Sequence, residues 1–385
     1  MPGLGAYFVI GGVAAVATFV LTPIVRVLAT KFGAVVAPDE RRVHDHPTAT
    51  LGGAAMFGAF LLAMFVAWRL DAFHLVFTSS SEPLGVVLGA AIIFTVGLLD
   101  DLYEWSAPAK ASGIVLAGSV MSLLGITMFY FRIPFFGLVV LSPDLAPLVT
   151  VLWVAGMANA VNFIDGLDGL AAGTVAIAAG AFFMYAQRLN DAGLLAEGSI
   201  SPMVSVIVLG MCVGFLPHNF HPARIFMGDC GALLLGLLMA ASTIVVGGRA
   251  SEPFSGQTYF FFAPLFIPLF ILGVPILDTA FAIVRRASRR ASAATADKDH
   301  LHHRLMRLGH GHRRSVLILW TWTAILSGFV LYPTFAKGEG DAIVPFGVLA
   351  LGLALYMLFH PGVRRSRVDD RLSTKRAAQC AARAA

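Results

Sequence analysis

The sequence predicts an all-α polytopic membrane protein, a bundle of about eleven transmembrane helices, on three observations. Only 13% of its 385 residues are charged, where soluble domains carry roughly 25%. Hydrophobic residues make up 58% of the chain and the mean hydropathy is +0.81. Eleven apolar runs cut the chain into short polar loops, and the acidic, amide and histidine clusters fall in the loops of one side.

Runs of about 20 apolar residues span hydrocarbon as helices, because lipid offers backbone N–H and C=O groups no partner outside the segment. The first span, 4–29, has no basic stretch ahead of it and carries Arg26 and Lys31 at its far end. It reads as an uncleaved helix with the N-terminus outside. The second, 51–70, opens on Gly52 and Gly53; the third, 84–99, runs into Asp100 and Asp101; Lys110 precedes the fourth, 111–131. The fifth, 147–164, ends in a row of amides and acids that continues toward the sixth, 169–187. The seventh and eighth, 202–217 and 230–247, flank Asp229, and the ninth, 259–284, carries Asp278. The tenth and eleventh are 315–335 and 342–360. Residues 1–360 form one transmembrane domain, and 361–385 read as a basic, disordered tail. No fixed-period repeat is present.

Eleven crossings from an outside start place the C-terminus inside. Of the 27 lysines and arginines, only Arg69, Arg132, Arg188, Arg249 and Lys337 fall on the outer side, the bias expected when cytoplasmic loops retain positive charge. The formal net charge of +5 therefore sits beside anionic headgroups and calls for no nucleic-acid partner. Cys212, Cys230 and Cys380 lie in a span, an inner loop and the inner tail, where a reducing compartment keeps them as thiols.

The inner loops carry the chemistry. In GLLDDLYEWSAPAK, the adjacent Asp100 and Asp101 followed by Glu104 repel one another unless a cation sits between them. Magnesium is the natural guest, a hard ion that binds through one or two carboxylates plus substrate phosphates. The competing reading is an ordinary acidic loop cap. Lys110 is a point charge for phosphate or a snorkelling interface lysine.

In MANAVNFIDGLDGLAAG, Asn159, Asn162, Asp165 and Asp168 recur every three residues, so a helix through them stacks all four on one face at the membrane boundary. Such a row is costly unless it lines a polar cavity; helix–helix hydrogen bonding is the structural alternative. In LPHNFHPARIFMGDCGALLLG, Asp229 precedes the eighth span, where helix N-terminal amides favour anions. An N-cap alone explains it equally, but Arg224 and Phe226 add a guanidinium for phosphate and a ring for stacking. In DKDHLHHRLMRLGHGHRR, His300, His302, His303 and Arg304 suit phosphate oxygens or proton transfer. Zinc lacks its usual ligand spacing there, and His310 and His312 read as decoration of a basic turn. The first inner loop adds Asp39, Arg41, Arg42 and His44.

Taken in order, these motifs resemble the polyprenyl-phosphate N-acetylhexosamine-1-phosphate transferase family over essentially the whole chain. The family's Asp-Asp pair resembles Asp100-Asp101, and its following lysine resembles Lys110. Its N-x-x-N-x-x-D-G-x-D-G run resembles Asn159 to Gly169, its F-M-G-D-x-G element Phe226 to Gly231, and its H-x-H-H loop His300 to His303. HLHHRL is similar to the GlcNAc-1-phosphate transferase branch rather than to the UDP-MurNAc-pentapeptide translocases with their three consecutive histidines, and Asp278 also fits that branch. Glu104, Ala49 and Ala232 stand where Asp, Pro and Ser are frequent in the family.

The resemblance implies a multi-pass enzyme of the cell membrane with a cytoplasmic active site, magnesium (manganese as substitute), a UDP-GlcNAc donor and a polyprenyl phosphate acceptor of undecaprenyl or decaprenyl length. It leaves a homodimer open. The implied reaction forms polyprenyl-diphospho-GlcNAc and UMP, the first lipid-linked step of a cell-envelope polysaccharide. Asp100 is expected to orient or deprotonate the lipid phosphate, with Asp100, Asp101 and Asp229 around the metal. Asn162, Asp165 and Asp168 are expected in the nucleoside or metal shell and Phe226 on the base, with Lys110, Arg224, His44, His300, His302, His303 and Arg304 toward phosphates and sugar. A two-step path through an aspartyl nucleophile stays open.

The rivals are a pentapeptide translocase-type transferase, a secondary transporter and a lipid-binding scaffold. A transporter places its binding groups near the bilayer midplane in broken helices, whereas these cluster at one interface. In a chain without Cys380, a cysteine introduced within 286–299 should react with impermeant thiol reagents only in inside-out vesicles, and one near Lys337 only in right-side-out vesicles. Labelling of both from one side refutes the eleven-span arrangement.

Overall fold

The computed structural model describes residues 2–36, 47–133, 137–247, 312–335 and 343–359. The helices are α1 (Leu4–Lys31), α2 (Gly52–Arg69), the short α3 (His74–Thr78), α4 (Glu82–Tyr103), α5 (Ala107–Leu123) and α6 (Leu145–Ile164). They continue with α7 (Leu170–Asp191), α8 (Ser201–Asn219), α9 (Gly228–Gly247), α10 (His312–Phe335) and α11 (Ile343–Phe359). Seven of them (α1, α2, α4, α6, α7, α8 and α9) are long and apolar enough to cross a membrane. The protein is thus the expected all-α, multi-pass membrane protein, and ten of the eleven predicted spans coincide with described helices. The ninth, with Asp278, lies outside the described residues.

Two expectations change. The predicted span 111–131 is helical only to Leu123; Gly125 takes φ 102°, and the chain continues into an antiparallel hairpin of β3 (Tyr130–Ile133) and β4 (Gly137–Val140). Glycine enters that left-handed region at no steric cost, so the helix stops before the apolar composition does. The amide-acid row is likewise not one helical face. α6 stops at Ile164, leaving only Asn159 and Asn162 on it, and Asp165 and Asp168 fall in a turn containing Gly166 and Gly169 (φ 77°).

α9 is the axis of the bundle, with 94% of its apolar window buried, whereas only 28% of the α1 window is. It packs against α2, α4, α6 and α8, while α1 joins α8 and α2 at the periphery and exposes Phe8, Val9 and Val16. Exposed apolar side chains in that number suit lipid, not water. Inside α1, Thr18 and Thr22 are buried and satisfy their hydroxyls on Ala14 O and Thr18 O at 2.8 and 2.6 Å.

The start of α9 is held by contacts that exclude side chains. A Cβ at Gly53 would lie 2.2 Å from Gly231 N, and one at Gly97 would lie 2.4 Å from Cys230 Cα. Helix backbones that close depend on small residues, which replace water-driven burial as the means of association in membranes. Two short strands, β1 (Val35–Val36) and β2 (Thr48–Ala49), pair beside this crossing, and Ala49 bridges to Ile225. Gly52 N–H and Gly53 N–H then donate to Phe226 O and Met227 O at 2.9 and 2.8 Å, tying the entry to α2 to the entry to α9.

Replacing Gly53 by Val should lower stability in detergent by at least about 1–3 kcal/mol, the cost of overpacking. Gly12→Ala, where an added Cβ meets nothing within 4 Å, should leave the melting temperature unchanged or raise it. Equal melting temperatures for both variants would show that the crossing is not tight.

Candidate active site

The helix order brings every described motif to one end of the bundle. α4 and α6 end there, at Tyr103 and Ile164; α2, α5, α7, α9 and α10 begin there, at Gly52, Ala107, Leu170, Gly228 and His312. Asp100 and Asp101 occupy the last turn of α4, and Asp101 faces the start of α9. Its Oδ1 accepts from Asp229 N–H at 2.9 Å and its Oδ2 from Cys230 N–H at 3.1 Å. Gly228, at φ 73°, admits the carboxylate: a Cβ there would stand 2.5 Å from Asp101 Oδ2. The anion expected at these N-terminal amides is therefore supplied, at two of them, from within the chain.

Lys110, in the first turn of α5, places its Nζ between Asp100 Oδ2, at 2.9 Å, and Asp229 Oδ2. The Asn162 amide completes the set, its nitrogen donating to Asp229 at 3.1 Å and its oxygen accepting from Lys110 at 3.3 Å. Four helices thus converge on one cationic point. The side chains of Lys110, Asp100 and Asp229 are 16%, 17% and 29% exposed, shielded enough to strengthen their attraction yet open to a ligand. Asp100 and Asp229 border a cavity of about 530 Å³ lined also by Asp101, Phe32, Thr50, Glu104 and Trp105. Carboxylate oxygens from separate helices, an amide and an open side are the hard oxygen donors that magnesium takes while keeping several waters.

Asp165 leads away from this point. Burial, and then the charges of Asp101 and Asp168, push its pKa up to about 7. Three residues on, buried Asp168 accepts at Oδ2 from His221 Nδ1 at 2.7 Å and from Ala223 N–H at 3.1 Å. His312 Nε2 is 3.9 Å from the same oxygen, and its ring stacks on His221 with centroids 4.2 Å apart. Asn219 braces the arrangement, accepting from Gly169 N–H and donating to Ile225 O, both at 3.0 Å.

His312 is thus not decoration on a basic turn; it opens α10 with a side chain only 10% exposed. His221 and Asn219 went unremarked in the sequence because neither belongs to a periodic or clustered pattern. Their one signal was membership of the loop that also holds Arg224 and Phe226. Arg224 is exposed, its backbone N–H bonded to His218 O at 2.8 Å, and Phe226 is half-buried with its N–H on Ala49 O at 2.8 Å. Asn159 turns back to Ala155 O at 2.8 Å and joins neither cluster by a hydrogen bond among the described residues. His44, His300, His302, His303, His310 and Arg304 lie outside the described residues.

Residues 83–247, which hold the Lys110 cluster together with Asp168 and His221 but not His312, match the model of glycosyl transferase family 4. Among curated proteins, the chain is 38% identical over 347 residues to a decaprenyl-phosphate N-acetylglucosaminephosphotransferase of Mycobacterium tuberculosis, covering 89% of this chain and 86% of that one. The protein of the same name from Mycolicibacterium smegmatis is 38% identical over 92% of this chain and 88% of its own. A probable undecaprenyl-phosphate N-acetylglucosaminyl 1-phosphate transferase of Bacillus subtilis is 37% identical over 81% and 79%. Identity at that level along nearly the full length, together with the motifs in order, places the chain in the polyprenyl-phosphate N-acetylhexosamine-1-phosphate transferase family.

Proposed function

We propose that the protein transfers GlcNAc-1-phosphate from UDP-GlcNAc to a polyprenyl phosphate at the cytoplasmic face of the membrane, forming polyprenyl-diphospho-GlcNAc and releasing UMP. The observation that carries this reading is the convergence of Asp100, Asp229 and Asn162 on Lys110 beside a cavity that the two carboxylates line, at the helix ends and not at mid-span. Binding groups at one interface suit a reaction between a soluble nucleotide and a lipid headgroup; a transporter would carry them at the midplane.

An oxygen of the lipid phosphate attacks the β-phosphorus of the donor, a bond to that phosphorus forms, and the bond to the oxygen bridging the two phosphorus atoms breaks. Both reactants are anions, so catalysis rests on alignment and on offsetting charge. Lys110 supplies one positive charge directly between two of the carboxylates. Asp100, at the open end of α4, orients the lipid phosphate or accepts its proton. Asp229 and Asp100, with Asp101 behind them, would hold magnesium, or manganese in its place. Bound there, the ion supplies charge neutralisation to the diphosphate and to the leaving UMP. Asp165 and Asp168 receive the nucleoside and Phe226 its base, while Arg224, His44, His300, His302, His303 and Arg304 serve the phosphates and sugar.

Asp229→Asn should lower kcat by at least about 100-fold, equivalent to about 2.7 kcal/mol of transition-state stabilisation, with little change in melting temperature. EDTA should reproduce the loss in the wild type, and excess magnesium should reverse it. Near-wild-type turnover in Asp229→Asn refutes the assignment. With UDP-GlcNAc and a polyprenyl phosphate, the nucleotide product should be UMP; release of UDP would mean that the sugar alone was transferred.

A further inference from the structure

Among the described residues, the clasp of His221, Asp168 and His312 is the titratable cluster that the chemistry above leaves without a role for its histidines. Its geometry is set by how α10 docks. Trp320 fills a notch at Gly173, where a Cβ would stand 2.0 Å from the indole, and its N–H points at Leu170 O, 3.4 Å away. Trp320 also packs on Phe220, with centroids 5.8 Å apart. His312 lies eight residues earlier on the same face of the helix, so docking delivers it to Asp168 and His221. Arg313 adds a hydrogen bond from its Nε to His221 O at 3.2 Å.

Neither ring nitrogen of His312 makes a hydrogen bond among the described residues, although both are buried. An imidazole left so costs about 1–3 kcal/mol, a penalty that a phenyl ring would avoid at equal packing. The three polar side chains come close enough to one another for a metal ion, but the rings are stacked, only 19° from parallel. Imidazole lone pairs lie in the ring plane, so stacked rings cannot both aim at one ion about 2.0–2.1 Å from each nitrogen. What the pair does fit is a single carboxylate oxygen, Asp168 Oδ2, which both rings and Ala223 N–H approach. Asp168 Oδ1 accepts none of these bonds.

We propose that His312 is a positioning residue for the donor nucleotide: stacked on His221 and facing Asp168, it fixes the imidazole–carboxylate pair so that Asp168 presents its second oxygen to the nucleotide. This rests on the assignment of Asp168 to the nucleoside. A positioning group that serves ground state and transition state alike alters binding and not turnover.

The test measures UMP binding by calorimetry, and donor KM and kcat, on purified full-length protein in detergent. His312→Ala and His312→Phe should each weaken UMP binding and raise donor KM about tenfold, with kcat within about twofold of wild type. His312→Gln, which restores a polar contact toward Asp168, should recover most of the loss. Because His312 acts through Asp168, Asp168→Asn with His312→Ala should bind UMP as Asp168→Asn alone does.

Wild-type UMP affinity in His312→Phe reduces the residue to packing and overturns the proposal, as does a fall in kcat at constant KM. One equivalent of zinc in the wild type that disappears in His312→Ala also overturns it, in favour of a metal site. If Asp168→Asn weakens UMP binding while the His312 variants do not, only this proposal fails. If Asp168→Asn leaves UMP binding intact, the nucleotide assignment fails with it.

Discussion

The Asp101 carboxylate at the first turn of α9 is the interaction on which the rest of the site depends. Two amides that no intrahelical carbonyl can reach find a partner on another helix, and the two helix ends are locked at hydrogen-bond distance. The close crossing at Gly53, Gly97 and Gly231 makes this possible, since any side chain there would push α2 and α4 off the α9 axis. With Asp101 committed to backbone amides, its neighbour Asp100 on the α4 turn is free to face Lys110 and the cavity. Adjacent carboxylates thereby take different partners, one the amides at the start of α9 and the other the ammonium of Lys110.

The surplus of negative charge at this end is the second organising fact. Asp100 and Asp229 close on Lys110 with the neutral Asn162 amide beside them, and Asp101, Asp165 and Asp168 add three more carboxylates at the same end of the bundle. Burial, with the charges of Asp101 and Asp168, raises the pKa of Asp165 and so eases part of the repulsion. Among the described residues this end is rich in acids and poor in cations, so a phosphate would bind there only with further positive charge brought to it.

Much of this was legible in the sequence. Spans such as 4–29 and 230–247 lie within a few residues of Leu4–Lys31 and Gly228–Gly247, because a helix in lipid must be apolar for its whole length. Adjacent acids at Asp100 and Asp101, in so apolar a chain, are conspicuous for the same reason. The spacing of Asn162, Asp165 and Asp168 pointed to one face but not to the turn that carries the last two, since glycine can end a helix without changing its hydropathy. The clasp was not legible. His221 lies 53 positions from Asp168 and 91 from His312, and His312 reaches the other two only because α10 docks with Trp320 against Gly173.

That notch gives the site a history as well as a shape. A chain emerging from the ribosome would insert α1 to α9 first and could assemble Asp100, Lys110, Asn162 and Asp229 among them. His312 follows only with α10, when Trp320 finds Gly173. The carboxylates thus come from helices up to α9 and the loops between them, whereas the histidine clasp needs a side chain from α10. A chain interrupted before α10 would carry all the described carboxylates yet lack the ring stacked over His221.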